Sequence, residues 1–487
     1  MALFFVASGE RYPVRLQPLS KLQLRATSEV ARDRRGPARI EPERTPDLTR
    51  VINASPVLRT RMNDPSRLLV VRPRTQGMRG AAVAAPTATL TLATDTVIAE
   101  GLRQADAAAA RNFGAELIHE GYDGKVLLRT DSPERAFELV ELLLAREVAA
   151  VSPNFMRRVP QLKKLQANKG WAHAKLEVRE AWKTTRGNAT IRVAVLDEGV
   201  DTKHPSLHPA VVAERDFIGG NGASALPDGD DAHGTACAGI VLSRDAGYAG
   251  LAPRCSLVAA RIAMGDGHDG WIFDDYSTAD AIDWCWRRGA DVLSNSWGGG
   301  APSDAITRAF ARARTLGRNS KGAVVVIAAG NDQRPIDFPG NLPGYLTIGA
   351  SNPVDERKTK TSSDGESWWG SNYGPSLSVL APGVFIWTTD IHGSRGYESG
   401  NFTRTFNGTS SATPHVAGAA ALMLSANPAL SAPEVRKLIG ATATRIQGQT
   451  GWTAQLGFGR LDVAAAVAAA KGAIPTATKK TKRRRVA

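Results

Sequence analysis

Three side chains in this sequence have the types needed for nucleophilic catalysis. Asp197 follows the apolar run 191–196, His233 opens the run His-Gly-Thr-Ala-Cys-Ala-Gly, and Ser410 is the third residue of Gly-Thr-Ser-Ser-Ala-Thr-Pro-His-Val-Ala-Gly. A serine hydroxyl attacks a carbonyl carbon when an imidazole removes its proton and a carboxylate orients that imidazole. If the three side chains meet in one site, they predict acyl-transfer chemistry.

Each of these residues also has a structural interpretation when it is taken alone. An Asp after a strand is typical of turns and helix caps, and a single His is more often a hydrogen-bonded structural residue. Asn331 follows Gly330 at the end of the apolar run 323–329, so its amide is placed like Asp197. By itself Asn331 is also typical of a turn.

Ser410 is predicted to lie at the beginning of a helix. The small residues at 412–425 form a helical pattern that ends before Asn427, and Pro414 is expected in its first turn. Proline is tolerated there because first-turn N–H groups have no partner within the helix. The free N–H groups and the positive end of the helix dipole would stabilise negative charge that develops beside Ser410.

The elements around these residues alternate between strand and helix. Near-continuous Val, Ile and Ala strands separated by helices predict an α/β fold, in which a parallel sheet is covered by helices on both faces. The active site of such a fold lies at the carboxyl ends of the strands. The predicted strands are 191–196, 256–262, 291–296, 323–329 and 345–350, and the predicted helices are 277–288, 304–316, 412–425, 432–444 and 461–471.

The conjunction of these motifs resembles the subtilisin-like serine proteases (subtilases) over about residues 170–470. The acid, the histidine and the serine follow one another in that family's order, with Ala-Ala-Gly-Asn ending at Asn331 between the last two. The α/β-hydrolases have the serine first, in a Gly-x-Ser-x-Gly turn, whereas position 412 here is Ala. Ser411 is the alternative nucleophile, and the Gly-Thr-Ser register favours Ser410.

The resemblance implies a serine endopeptidase with Asp197, His233 and Ser410 as its catalytic triad. Ser410 would attack the scissile carbonyl, His233 would transfer the proton and Asp197 would fix the imidazole. Asn331 and the Ser410 N–H would stabilise the oxyanion. The chemistry would need no cofactor.

The resemblance also implies substrate-binding segments and candidate metal ligands. Ser296, Trp297 and Gly298 correspond to one edge of the substrate groove, and Gly265 and Asp266 to the facing edge. Subtilases often hold structural calcium, and acidic surface loops without an ion are the alternative for the candidate ligands, which are Asp228, Asp230, Asp231 and Asp337.

A second domain is predicted before the peptidase domain. The pattern over 87–156 is β-α-β-β-α-β, the ferredoxin-like plan, and it is similar to subtilase propeptides, which serve as folding template and inhibitor. We therefore expect a basic extension of unassigned structure, the prodomain, the peptidase domain and a basic disordered tail, at 1–85, 86–160, 161–472 and 473–487. Residues 157–169 are predicted to be an exposed linker, and the enzyme is expected to cut itself between about Phe155 and Lys169 and to release the prodomain, which acts as an intramolecular inhibitor.

The net charge of +14 is concentrated at the ends of the chain. Residues 1–80 hold 16 Lys and Arg against 7 Asp and Glu, and residues 471–487 hold 7 Lys and Arg and no acid, so the body is nearly neutral. This distribution argues against a core that binds nucleic acid, although the basic tail is left free to contact a polyanion. A polyanion-binding protein with an incidental protease core is therefore one alternative, and an inactive subtilase fold that serves as a binding module is another.

The remaining composition bears on location. The three cysteines, Cys237, Cys255 and Cys285, are too few and odd in number for a disulfide framework and predict buried thiols in a reducing compartment. The apolar run 2–7 is too short for a secretory signal, and no run is long enough to span a bilayer. A cytoplasmic location is expected, with secretion by a non-standard route as the alternative.

Overall fold

A computed structural model describes residues 3–7, 10–18, 48–62, 64, 69–73, 90–160, 170–219, 222–266 and 270–473. The strands are β1 (Phe4–Ala7), β2 (Glu10–Pro18), β3 (Leu69–Pro73), β4 (Leu90–Glu100), β5 (Glu116–Glu120), β6 (Lys125–Arg129), β7 (Ala150–Pro160), β8 (Arg192–Asp197), β9 (Val211–Asp216), β10 (Ser256–Arg261), β11 (Met264–Gly265), β12 (Gly270–Asp274), β13 (Val292–Asn295), β14 (Val324–Ala328), β15 (Leu346–Ser351), β16 (Leu377–Pro382), β17 (Ile386–Thr389) and β18 (Phe402–Phe406).

The helices lie between and around these strands. They are α1 (Leu48–Ala54), α2 (Pro56–Arg59), α3 (Gln104–Asn112), α4 (Pro133–Ala145), α5 (Trp171–Lys175), α6 (Val178–Ala181), α7 (His233–Leu242), α8 (Asp275–Arg287), α9 (Asp304–Ser320), α10 (Thr409–Ala426), α11 (Ala432–Thr442) and α12 (Val463–Gly472). None of these helices is long and apolar enough to cross a membrane.

The central sheet of the carboxyl-terminal part has seven strands in the order β16-β15-β14-β13-β8-β10-β9. All of its pairs are parallel. Alternate residues of each strand face opposite layers: Val193 and Val195 pack with α7, α10 and α12, whereas Ala194 and Leu196 pack with α8 and α9. The predicted three-layer α/β fold is confirmed, and the carboxyl ends of β8 and β14 lie at one edge of its sheet.

The second sheet has nine strands and joins the two halves of the chain. Its main order is β1-β2-β3-β4-β7-β12-β11, with β6 also paired to β4, and β5 paired to β6. The segment order β5-β6-β4-β7 is the strand order of a β-α-β-β-α-β unit. Strands β1, β2 and β3, from the predicted unassigned extension, lengthen this sheet, and β12 from the peptidase half closes it on the other side.

The prediction of an exposed linker from residue 157 is wrong for its first residues. Strand β7 continues to Pro160, paired with β12, and Arg157 is only 1% exposed. The Arg157 guanidinium donates to both carboxylate oxygens of Asp275, at 2.6 and 3.2 Å, and to the Gly299 carbonyl oxygen at 2.8 Å. A run of basic residues is typical of exposed chain only when no acidic side chain packs against it in the fold. Here the acidic partner, Asp275, lies 118 residues further along the sequence. Residues 161–169 of the predicted linker and 474–487 of the predicted tail lie outside the described residues.

Candidate active site

Asp197 and His233 are brought together by the end of β8 and the start of α7. Asp197 is the last residue of the strand, His233 is the first of the helix, and Nδ1 of His233 lies 2.8 Å from Oδ1 of Asp197. The helix can start this close to the strand because residue 234 is glycine, where a Cβ would lie 2.1 Å from the Gly199 carbonyl oxygen. Because Nδ1–H donates to the carboxylate, Nε2 is left as the basic nitrogen.

The imidazole of His233 is held in a nearly closed environment. Its ring lies between those of Trp271 and Phe406, with ring centroids 5.2 and 5.3 Å away, and its backbone N–H donates to Oε1 of Glu198 at 2.7 Å. Burial lowers the pKa of His233, but the charge and hydrogen bond of Asp197, together with Glu198, raise the pKa above its ordinary value of 6.5. His233 is therefore a stronger base than a free histidine.

Ser410 opens onto the same cleft as His233. It is the second residue of α10, and its hydroxyl donates to the Ser296 carbonyl oxygen at 3.1 Å, so a rotation of the side chain would turn it towards His233. Ser411, the alternative nucleophile, is fully buried, and its hydroxyl donates to the Gly408 carbonyl oxygen at 2.9 Å. The local geometry therefore favours Ser410 as the reactive residue.

Pro414 lies further inside α10 than the sequence indicated, because the helix begins at Thr409 rather than at residue 412. A proline has no N–H to donate to the carbonyl four residues before it, which is that of Ser410. This carbonyl instead accepts from Oγ of Ser296 at 2.9 Å and contacts Sγ of Cys237 at 3.5 Å. Because the helix bond is missing, the Ser410 carbonyl is free to bond to the residue that follows β13 and to contact α7.

Asn331 is fixed by the residue before the nucleophile. Its Oδ1 accepts from the backbone N–H of Thr409 at 2.8 Å and from the Thr409 hydroxyl at 3.0 Å. With the oxygen occupied in this way, the amide NH₂ group is directed to the cleft that Ser410 also lines. The Ser410 N–H belongs to the first turn of α10, where backbone N–H groups lack helical acceptors. Two donors therefore converge on the space where an oxyanion would form.

Two of the side chains predicted to bind substrate are largely buried, although Trp297 also lines the cleft. Trp297 is 2% exposed, and its ring packs against those of Phe273 and Phe310. Asp266, also 2% exposed, accepts from the Gly270 N–H at 3.1 Å and closes its own loop. The resemblance located the segments by their backbones, and the direction of a side chain does not follow from a motif. The main chain of Ser296 and Gly298 borders the cleft, whereas that of Gly265 is held by Asp231 at 2.9 Å.

A buried polar network supports the turn before the nucleophile, and no sequence pattern pointed to it. The Glu366 carboxylate accepts from Nδ2 of Asn407 at 2.7 Å and from the Trp369 indole, and Oδ1 of Asn407 accepts from the Phe385 N–H at 2.6 Å. Burial raises the pKa of Glu366. This network fixes the chain two residues before Thr409, and hence the start of α10.

The segment behind Glu366 is organised around a buried ammonium group. Lys358 is fully buried, and its Nζ contacts the carbonyl oxygens of Thr359 and Glu366 at 2.6 Å, the Ser362 hydroxyl at 3.3 Å and the Asp364 carboxylate at 3.1 Å. These four oxygens from one loop surround a single positive charge. The loop therefore has an internal cation at its centre.

Three of the proposed calcium ligands have other partners. Asp228 pairs with Arg261 at 3.0 Å, Asp337 pairs with Arg334, and Asp231 accepts from a backbone N–H. Burial raises the pKa of Asp231 to about 7. Among the described residues, none of the four candidate ligands lies in a group of three side chains that could share a metal ion, and a calcium site formed with further oxygen ligands stays a prediction.

Cys237 lies beside the Asp197–His233 pair, with its Sγ 3.8 Å from Nδ1 of His233. These three residues form the one group of metal-ligand type found among the described residues. Burial raises the pKa of the Cys237 thiol well above its usual range, so the thiol stays protonated and is not a nucleophile. Cys255 and Cys285 are also buried and free.

The model of the subtilase family matches residues 188–459 of this chain. Subtilisin DY from Bacillus licheniformis is 36% identical over 265 residues, which cover 53% of this chain and 85% of subtilisin DY. The calcium-dependent protease of Nostoc sp. (strain PCC 7120 / SAG 25.82 / UTEX 2576) is 34% identical over 344 residues, or 62% of this chain. The chain spans about half (49%) of the length of that relative.

Solved structures give the same fold. Fervidolysin from Fervidobacterium pennivorans, a keratinolytic enzyme related to subtilisin, superposes with a TM-score of 0.61 at 22% identity, covering 78% of this chain and 61% of fervidolysin. A protease from Pseudoalteromonas arctica superposes with a TM-score of 0.51 at 27% identity, covering 63% of this chain and all of that protein.

The contrast between Ser410 and Ser411 can be tested directly. Ser410→Ala should abolish hydrolysis of casein and labelling by a fluorophosphonate probe, because the hydroxyl assigned as the nucleophile is gone. Ser411→Ala should retain both activities, since the Ser411 hydroxyl is hydrogen-bonded to the Gly408 carbonyl oxygen. Labelling of the Ser410→Ala protein would assign the nucleophile to another residue.

The role of Asn331 is tested by a substitution that keeps its contacts. Asn331→Asp preserves an oxygen for Thr409 but replaces the NH₂ group that faces the cleft. We expect kcat to fall by about 10²–10³, the loss that follows removal of one oxyanion donor from subtilisin, with a much smaller change in KM. An unchanged kcat would leave Asn331 with a structural role only.

The electrostatics of His233 predict the acid limb of the pH profile. Only the neutral imidazole can take the Ser410 proton, so kcat/KM should fall as pH drops through the pKa of His233 in the free enzyme. Because Asp197 raises that pKa, the midpoint should lie above pH 6.5. Asp197→Asn removes the charge but keeps the burial, so the residual activity should have its midpoint below 6.5. The reverse order of the two midpoints would contradict this assignment.

Proposed function

The chain belongs to the subtilase family, and from this premise we propose that it is a serine endopeptidase whose catalytic residues are Asp197, His233, Ser410 and Asn331. The observation that supports the proposal most strongly is the convergence of these side chains. The carboxylate and imidazole are 2.8 Å apart, and the Asn331 amide is anchored to the residue next to the nucleophile. Cleavage of a peptide library by the purified protein, with Ser410→Ala as control, tests this function.

In the proposed reaction, Oγ of Ser410 attacks the scissile carbonyl carbon while Nε2 of His233 takes the hydroxyl proton. The negative charge that forms on the carbonyl oxygen is stabilised by the Asn331 amide and the Ser410 N–H. Collapse of the tetrahedral intermediate breaks the C–N bond, and the imidazolium returns its proton to the leaving amine. Water then repeats these steps on the acyl-enzyme and releases the second product.

We propose that the catalytic steps need no metal ion and that any bound calcium would be structural. The relative from Nostoc is named a calcium-dependent protease, which makes calcium relevant to this chain. The catalytic groups proposed here include their own base, orienting carboxylate and oxyanion donors. The steps described above therefore use only side chains and backbone of the enzyme.

The first substrate is proposed to be the enzyme's own chain. Strand β7 runs antiparallel to β12 with Val159 opposite Trp271, and the Trp271 ring contacts that of His233. The chain that leaves β7 at Pro160 therefore starts beside the catalytic histidine. The region before it would act as a propeptide that blocks the cleft until it is cut away.

We expect self-cleavage between about residues 155 and 169. The part of this range beyond Pro160 is the preferred one, because β7 holds the residues up to Pro160 in the sheet. Wild-type protein should separate on a denaturing gel into two fragments, whereas Ser410→Ala should remain full length. Sequencing the amino terminus of the active species measures the cut. Full activity from a chain that still begins at its own first residues would contradict the propeptide role and leave the triad assignment intact.

A further inference from the structure

A short helical segment upstream of the predicted prodomain contacts the peptidase half directly. We define the clasp as residues 48–62, which contain α1 and α2. Leu48, Ile52, Leu58 and Met62 are buried in one apolar cluster with residues from both halves of the chain. The partners from the peptidase half are Ile218, Met264 and Ile272, and those from the amino-terminal half are Val70, Leu92 and Met156.

Polar contacts fix the clasp at its middle and near its carboxyl end. The hydroxyl of Ser55 caps α2, accepting from the Leu58 N–H at 3.1 Å, and donates to the carbonyl oxygen of Ile218. Arg61 is 5% exposed and lies 3.6 Å from the Asp274 carboxylate, with a further contact to the Ser277 hydroxyl at 3.5 Å. Removing the guanidinium from such a pair leaves the carboxylate buried without its partner, which destabilises the packed arrangement.

The surface that the clasp covers supports the substrate groove. Met264 lies in β11 beside Gly265, and Ile272 lies in β12, one residue beyond the Trp271 that contacts His233. The other edge of the groove is held separately, because Arg157 donates to the Gly299 carbonyl oxygen. The amino-terminal half therefore contacts both edges of the groove, and the clasp provides the contact at one of these edges.

We infer that the clasp is a second docking element, which keeps the amino-terminal fragment bound to the peptidase domain after the connecting chain is cut. This inference rests on the proposed function, in which that fragment is an inhibitor. While the chain is intact, the two halves are held at a high effective concentration, and cutting removes this advantage. The lifetime of the complex then depends on the interface alone, mainly through its dissociation rate. The inhibitory unit thus begins near residue 48, well before the β-α-β-β-α-β unit.

The test uses the full chain with Ser410→Ala, so that no step depends on its own activity. A recognition sequence for a site-specific protease replaces residues 163–168, and a carboxyl-terminal tag immobilises the protein. After cutting, the amino-terminal fragment that remains bound is measured over time at urea concentrations from 0 to 3 M. The variants are Leu58→Ala and Arg61→Ala in the clasp, Ile218→Ala on the opposite surface, and Arg59→Ala, an exposed position in α2, as the matched control.

Leu58→Ala and Ile218→Ala should each release the fragment at least tenfold faster, equivalent to about 1.4 kcal/mol. Arg61→Ala should act in the same direction, and Arg59→Ala should stay within about twofold of the parent. The double variant Leu58→Ala/Ile218→Ala should fall short of the product of the single effects, because the two side chains belong to one apolar cluster. Equal release by Leu58→Ala, Ile218→Ala and Arg59→Ala would overturn the inference.

Thermal unfolding of the uncut proteins separates loss of docking from loss of folding. If Leu58→Ala lowers the stability of the amino-terminal half itself, Ile218→Ala, which lies outside that half, must still accelerate release for the inference to stand. A failure of self-cleavage in the wild-type chain would count against the propeptide role but would leave this measurement unaffected. If none of the clasp variants changed the release rate, the docking role of the clasp would be disproved. The endopeptidase proposal would be unaffected.

Discussion

The cleft depends on the contact between the end of β14 and the start of α10. Asn331 accepts two hydrogen bonds from Thr409, and the Thr409 hydroxyl in turn accepts from the Gly330 N–H at 3.1 Å. The donor proposed for the oxyanion and the nucleophile that creates the oxyanion are thereby fixed to each other. A displacement of either element would separate groups that must act on the same substrate atom, which is why this contact limits what the surrounding structure can change.

The nucleophile is positioned from the opposite side as well. Pro414 frees the Ser410 carbonyl, which then bonds to Ser296 and contacts Cys237, and the Glu366–Asn407 pair holds the turn that leads into the helix. Each support comes from a different part of the fold: the residue that follows β13, helix α7 and the loop after β15. The rigidity needed at the start of α10 is therefore distributed among buried hydrogen bonds and does not rest on the helix alone.

Local patterns were sufficient for the parallel sheet and for the position of Asp197 at the carboxyl end of one of its strands. Apolar strands, glycine-rich turns and a small-residue helix are visible within windows of about ten residues. They could not indicate that Arg157 would be buried, because its partner Asp275 is far away in sequence, or that the Trp297 ring would turn into the core. The Glu366 network and the clasp were not predicted for the same reason, because each depends on pairs of residues that come into contact only in the folded chain.

The caged ammonium of Lys358 has a consequence for how this enzyme tolerates its surroundings. A loop that is ordered by an exchangeable ion depends on the concentration of that ion. The ion site is occupied in fewer molecules when the solution is diluted or a chelator is added. Lys358 is covalently part of the loop that surrounds it, with four oxygens within 3.3 Å. The ammonium cannot diffuse away from the loop, so this support for the turn before Ser410 does not depend on an ion taken up from the solution.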